Sequence, residues 1–409
     1  MAVAQLADPL NPLKQDFLDN PYPTLERFRT EAPVWWSAKN EYWLVSRYAD
    51  TQAILRDLNY EKQIQRWRSS SLQRKLLNKI QPFKSLLNAT STWMLNLNPP
   101  DHTRVRSLLN KAFTPTMVQK LKPEIETIAE SLLDDIEAQG SMELMHEFAF
   151  PLPISVIGQM LGVPMTDRAL LKHCSDNLAG VVGGQRQIMK LARAGKAIRE
   201  LRAYLRPLIE QRRTSPQDDL MSVLVQAEEE HKKLTADEVV NNCILLLVAG
   251  HETTVNLIGN ALHCLLKHPD QLQLLREQPE LMEATISEVL RFESPVQLAP
   301  RLAGQDLEFN SKTFKKGQMI FLLLGSANRD AEQFKDADRF DITRAKNRNM
   351  AFGEGIHRCI GASLAEVEAQ IAITALLRRF PKLGLKSNPV RFKKPFGLRG
   401  PESLQIVWQ

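Results

Sequence analysis

Cysteine is scarce in this 409-residue chain: Cys174, Cys243, Cys264 and Cys359 are the whole supply. They form no C-x-x-C pair and no zinc-finger spacing, which removes a dithiol centre and a structural zinc site from consideration. At this length, four cysteines build no disulfide framework either. Long apolar runs are missing too. The longest, residues 243–249, is far short of the ~20 residues that span a bilayer. Residues 1–20 are broken up by Asp8, Pro9, Pro12, Lys14 and Asp16. No leader and no membrane anchor are expected, and a cytoplasmic protein is the simple reading. There is no internal repeat, low-complexity tract or Gly/Ser linker, so residues 1–409 read as a single domain.

Acidic residues fall slightly short of basic ones, for a net charge of +6. Residues 56–84 hold eight Lys/Arg against two Asp/Glu, a surplus equal to that of the whole chain. A basic balance can indicate nucleic acid or an acidic partner. No nucleic-acid reading motif accompanies it, so nucleic acid is not an expected partner.

What is present is mostly helix, with a small β portion. Residues 22–32 and 49–57 read as helices around two short strands, Val34-Trp35-Trp36 and Tyr42-Trp43-Leu44-Val45. From Pro100 onward, apolar residues recur at helical spacing. Thr235-Ala-Asp-Glu238 is a capping box that opens a pattern running to about His268. Some thirty helical residues would span roughly 45–50 Å, long enough to cross the middle of the molecule. Further helices are expected over 279–292 and 360–379, with strands and a Lys316-Gly317 turn within 300–324. Cys243 and Cys264 fall in apolar helical patterns and read as small core residues.

The decisive segment is Phe352-Gly-Glu-Gly-Ile-His357-Arg-Cys359-Ile-Gly361. A helix pattern begins just after Cys359, and the free N–H groups and dipole of a helix start favour a thiolate. The glycines permit tight turns and close approach of the backbone to a flat partner. A lone cysteine here would read as a buried free thiol. The full pattern F-G-x-G-x-H-x-C-x-G instead resembles the haem-binding signature of the cytochrome P450 family. That resemblance implies a P450 fold, with haem b (iron protoporphyrin IX) between the long helix and the cysteine-loop helix. It makes Cys359 the axial metal ligand and places Phe352 and Gly361 beside the cofactor.

Further matches extend the resemblance over nearly the whole chain. Glu288-Val-Leu-Arg291 fits the family's E-x-x-R, which is a structural pair completed by an arginine before the cysteine loop. Arg339 is the candidate for that third position. Pro100-Asp-His102-Thr-Arg-Val-Arg106 opens a helix with His102 and Arg106 on one face. On its own this is a solvated basic helix start. By resemblance, His102, Arg106, Arg301 and His357 hold the haem propionates, which need cationic partners when buried.

Within the long helix, Ala249-Gly250-His251-Glu252-Thr253-Thr254 interrupts an apolar run with poor helix formers. A packing notch at Gly250 is the plain reading. The set also resembles the family's oxygen-binding motif. By that match Ala249 lies at the haem, and Glu252 and Thr253 are the catalytic acid–alcohol pair that relays protons to dioxygen. The resemblance implies a monooxygenase that hydroxylates or epoxidises a small apolar molecule, of fatty-acid, terpenoid or polyketide type, using O2. No flavin or nicotinamide domain is visible in the chain, so two electrons are expected from a ferredoxin-type donor with its reductase. Arg344, Lys346, Arg348 and Arg358 either meet that acidic donor or are simply surface charges.

The alternatives are a P450-fold enzyme that rearranges or couples substrates without hydroxylation, and a haem-binding sensor. Arg56, Lys62, Arg66, Arg68, Arg74, Lys75, Lys79 and Lys84 interleave with Ile64, Trp67, Leu72, Leu76, Leu77, Ile80 and Phe83. A solvated helix with an inward apolar face explains them. So does a pocket mouth that attracts a substrate carboxylate or an acidic carrier protein. The pocket itself is expected to be lined from residues 60–98, 170–190, the long helix near Val248, and residues 296–299.

Overall fold

The computed structural model describes residues 8–10, 14–63, 81–182, 188–231, 234–386, 389–394 and 396–408. Helices in chain order are α1 (Gln15–Asp19), α2 (Tyr22–Glu31), α3 (Tyr48–Arg56), α4 (Gln81–Ser91), α5 (Asp101–Leu109), α6 (Pro115–Asp134), α7 (Pro151–Met160), α8 (Arg168–Val182) and α9 (Ile188–Thr214). They continue with α10 (Leu220–His231), α11 (Ala236–Lys267), α12 (Pro269–Glu277), α13 (Met282–Phe292), α14 (Leu324–Ala327) and α15 (Ala362–Arg379). Backbone contacts gather into two compact units. The first holds residues up to 61, 122–152 and 253–409; the second holds 62–121 and 153–252.

The first unit contains the sheets. Strand β1 (Val34–Ser37) pairs antiparallel with β2 (Tyr42–Val45), which runs parallel to β8 (Met319–Leu323). β8 is antiparallel to β5 (Leu298–Ala303), which pairs in turn with β3 (Tyr60–Glu61). A hairpin of β6 (Leu307–Phe309) and β7 (Lys312–Phe314) leads into β8. The predicted turn stands there, with Gly317 at φ 80°. Ile54, Phe314, Ile320, Leu322, Phe334 and Met350 pack as one buried cluster. β-branched and aromatic residues suit a pleated half-buried surface, and this cluster fixes the sheet against α3 and the segment before the cysteine. β4 (Ser141–Glu143), β10 (Gln405–Val407) and β9 (Gly384–Leu385) form a small second sheet, in that order.

The long predicted helix is α11. Its capping box forms: Thr235 N–H donates to Glu238 Oε2 (2.7 Å), and Glu238 N–H donates to Thr235 Oγ1 (3.2 Å). Pro269, which cannot continue a helix, opens α12 immediately afterwards. The helix stays continuous through Gly250 and both threonines. Cys243 and Cys264 are buried along it, as small core residues are. The predicted helix over 279–292 begins as a short 3-10 turn, Pro279–Leu281, and becomes α-helical at Met282. No described helix is long and apolar enough to cross a membrane.

Candidate active site

The cysteine loop is built by backbone geometry. Gly353 and Gly355 sit at φ 67° and 69°, where a side chain is strained. Gly353 N–H donates to Met350 O, Arg358 N–H to Gly355 O, and Cys359 N–H back to Phe352 O at 2.8 Å. These bonds close the loop and carry Cys359 to a point three residues before α15 begins at Ala362, with Gly361 as the N-cap. The sulfur therefore stands beside a helix N-terminus, where negative charge is favoured. Cys359 is exposed, whereas Cys174, Cys243 and Cys264 are buried. Phe352 and His357 are half-buried in the same loop.

Two elements hold this loop. The end of α3 approaches so closely that a Cβ on Gly355 would lie 2.5 Å from Leu55 O. From the same helix, Gln52 Nε2 and Arg56 Nε donate to the Glu354 carboxylate at 2.9 and 2.7 Å. Asn328 Oδ1 accepts from Met350 N–H at 2.7 Å, just upstream of the glycines.

Glu288, fully buried on α13, anchors the approach to the loop. Arg291 grips it with two bonds, Nε–Oε2 2.8 Å and Nη2–Oε1 2.7 Å. The third arginine is Arg344, with Nε 3.1 Å from Oε2. This corrects the expectation for Arg339. The Arg339 side chain is exposed, and only its carbonyl takes part, accepting from Arg291 and Arg344. It also corrects the reading of Arg344 as a surface charge, whereas Lys346, Arg348 and Arg358 are exposed.

Arg301 lies on β5, opposite Ile320, and is 2 % exposed. Its guanidinium donates to the Pro300 carbonyl at 2.9 Å and pairs with no carboxylate among the described residues. Burial alone pushes its pKa down to about 10. A buried cation of this kind is costly until an anion joins it. That is the character a haem propionate would complete, so the residues fit the cofactor that the loop motif implies. Among the described residues no group of three His, Cys, Asp or Glu gathers around a bare metal ion.

In the second unit, α5 carries His102 and Arg106 one turn apart. His102 is buried, and its pKa is pushed down to about 4, first by burial and then by the charges of Arg106 and Lys62. Burial and those charges favour its neutral ring, and a nearby anion would raise its pKa. Arg104, between them in sequence, turns instead to Glu238, with Nη2–Oε1 at 2.7 Å.

On α11, Ala249 and Glu252 belong to the second unit and Thr253 to the first. Gly250 is no packing notch, because a Cβ there would meet Ile157 at an ordinary 3.4 Å. Glu252 and Thr253 are half-buried. Sequence reasoning gave no role to His251, which is fully buried and bonded to Ser175 of α8. The available signal was a histidine inside an apolar run.

Of the basic segment, Arg66, Arg68, Arg74, Lys75 and Lys79, with Ile64, Trp67, Leu72, Leu76, Leu77 and Ile80, lie outside the described residues. The side chains of Phe83 and Lys84 do too. Arg56 is engaged by Glu354 and Lys62 is buried, so neither is a free surface charge.

Comparison with known proteins agrees with this geometry. The family description "Cytochrome P450" matches residues 185–406. The biotin biosynthesis cytochrome P450 of Bacillus subtilis is 39% identical over 396 residues, covering 96% of this chain and 98% of that protein. The polyketide biosynthesis cytochrome P450 PksS of the same organism is 38% identical, covering 97% and 98%. Among solved structures, P450BioI in complex with a hexadec-9Z-enoic acid ligated acyl carrier protein aligns with a TM-score of 0.90 and 38% identity, covering 97% of this chain and 99% of that one. Myxobacterial CYP267B1 in complex with myristic acid also gives 0.90, at 34% identity, covering 98% and 100%. With motif, fold and near-full-length relatives in agreement, the chain belongs to the cytochrome P450 family and is an oxidoreductase of its monooxygenase class.

Proposed function

We propose that this P450 is a cytoplasmic enzyme that hydroxylates or epoxidises a long apolar molecule with an acyl or carboxylate end, free or tethered to a carrier protein. It takes two electrons from a separate ferredoxin-type donor and its reductase. The observation that carries the chemistry is the loop that turns Cys359 out beside the start of α15 while the other cysteines are buried. The cofactor in this reading is haem b. Cys359 would bind its iron, with Phe352, Gly361 and Ala249 beside it. Arg301, His102, Arg106 and His357 would hold its propionates. Bound there, haem supplies the redox iron at which O2 is reduced.

The protein's own groups do the rest. The helix N-terminus beside Cys359 favours its thiolate form. Arg301, buried and paired with no carboxylate among the described residues, gives an anion a fixed seat. Glu252 and Thr253 hold and pass protons, Glu252 at its carboxyl and Thr253 at its hydroxyl. The acyl part of the reading rests on similar proteins, one named for polyketide biosynthesis and two solved with myristic acid or with a fatty-acid-ligated acyl carrier protein.

The test is spectroscopic. The reduced, CO-bound protein should show the strongly red-shifted Soret band of a thiolate haem, and Cys359→Ser should lose it. An imidazole-type spectrum in folded, haem-loaded wild type removes Cys359 from the iron. For the substrate, loss of haem-bound water on titration with a long-chain acid, its methyl ester and an acyl-loaded acidic carrier separates the versions. No response to any of the three overturns the acyl reading.

A further inference from the structure

Helix α11 carries a histidine that the proton relay leaves unused. His251 stands between Gly250 and Glu252 and is 0 % exposed. Its Nδ1 lies 3.0 Å from the Leu247 carbonyl, one turn back, and 3.0 Å from Ser175 Oγ on α8. A carbonyl oxygen only accepts, so the contact with Leu247 requires a proton on Nδ1. The Ser175 oxygen shares that N–H as a second acceptor. With Nδ1 protonated, the charge state of the ring is decided at Nε2, which carries a lone pair when neutral and an N–H when charged. Nε2 lies on the side of Glu252, 3.8 Å from Oε2. That is longer than a direct hydrogen bond and within ion-pair range.

We propose that His251 is a positioning residue for Glu252. Anchored through Nδ1 to Leu247 and Ser175, the ring sets Nε2 within ion-pair range of the Glu252 carboxyl and fixes where that carboxyl stands. The proposal rests on the reading of Glu252 as the relay acid. Ser175 ties this arrangement to α8, so the placement of that helix bears on the proton supply.

A core histidine that merely joined α8 to α11 would need only its Nδ1 contacts. The two roles differ at Nε2. His251→Asn keeps an amide donor near the Nδ1 position and removes Nε2, whereas His251→Gln places its amide near Nε2 and gives up the anchor. Each variant, Glu252→Gln, and the His251→Asn/Glu252→Gln double variant are loaded with haem. Melting temperature, affinity for a long-chain fatty acid, its turnover and the peroxide released per product are measured in each.

His251→Asn should keep stability and substrate affinity, lose turnover by about tenfold at unchanged KM, and release more peroxide. That loss lies below the 10²–10⁴ of a direct acid–base group. His251→Gln should recover part of the turnover while losing stability. The double variant should lose no more turnover than Glu252→Gln alone. Wild-type coupling in His251→Asn, or losses that multiply in the double variant, overturns the proposal. If Glu252→Gln itself turns over normally, the relay reading fails first. A slowed Glu252→Gln with an unaffected His251→Asn removes only the role of His251. Should His251→Asn not fold, ¹⁵N-histidine spectra of the ferrous CO-bound wild type and Ser175→Ala read the tautomer directly. A ring protonated at Nδ1 and perturbed by Ser175→Ala is expected, and one protonated only at Nε2 overturns the assignment.

Discussion

Arg56 Nε lies 2.7 Å from Glu354 Oε2, so the last turn of α3 grips the one acidic side chain of the cysteine loop. The Arg56 side chain is 61% exposed, and an exposed ion pair contributes at most about 1 kcal/mol. The stronger constraint is the backbone beside it, where Gly355 passes Leu55.

Gly355→Ala should therefore damage the loop far more than Gly353→Ala. Both positions have positive φ, which alone costs an alanine about 1–2 kcal/mol. At Gly355 a Cβ would also lie 2.5 Å from the Leu55 carbonyl oxygen, while at Gly353 its nearest neighbour is 3.9 Å away. Haem content and melting temperature should fall steeply for Gly355→Ala and modestly for Gly353→Ala. Equal losses in the two variants would show that the approach of α3 is not the constraint.

Arg344→Ala should destabilise the enzyme by up to about 3 kcal/mol, because it strips one partner from a buried carboxylate. Arg339→Ala should stay within about 0.5 kcal/mol, as exposed substitutions do. Urea unfolding at matched haem content compares them. A larger loss for Arg339→Ala would contradict the geometry around Glu288.

The case of Arg344 shows what the sequence can carry. The i,i+3 pair Glu288–Arg291 is legible because both residues lie on one helix. The third arginine depends on how the irregular segment 335–350 folds back on α13, and no periodicity encodes that path. The cysteine loop was legible for the opposite reason: its glycines, cysteine and helix start are contiguous. The helices and strands fell within a few residues of expectation, because apolar spacing and caps specify them locally. His251 was not legible as a linked residue, because Ser175 reaches it from a helix 76 positions away in the chain. Sequence does not report burial, which is the largest cause of the lowered pKa of His102.

Thr253→Ala should bind substrate like wild type and consume reductant, while releasing roughly 2–10 times more peroxide per product, as loss of one proton-relay group implies. The substitution removes a hydroxyl and a methyl from a half-buried side chain without opening a large cavity, so the melting temperature should hold. Peroxide and product assayed on the same sample decide it. Unchanged coupling would take Thr253 out of the relay.

Glu368 supplies the clearest pH dependence. It lies on α15, is 2 % exposed, and its Oε2 has no hydrogen-bond partner among the described residues. Burial pushes its pKa up from 4.5 to about 8. The folded state therefore keeps a proton that the unfolded chain releases above the ordinary carboxylate range. Stability drawn from this group is complete below about 4.5, falls as pH rises from there, and stops falling above about 8. The steepest slope a single group allows is about 1.4 kcal/mol per pH unit. Glu368→Gln has nearly the same shape and no titration. Its stability advantage over wild type should widen between pH 5 and pH 8 and then level off, because all other titrating groups cancel in the difference. Melting temperatures of both proteins, haem-loaded to the same extent and followed across that range, measure the gap. A gap that is flat with pH would mean that Glu368 is not held as the neutral acid.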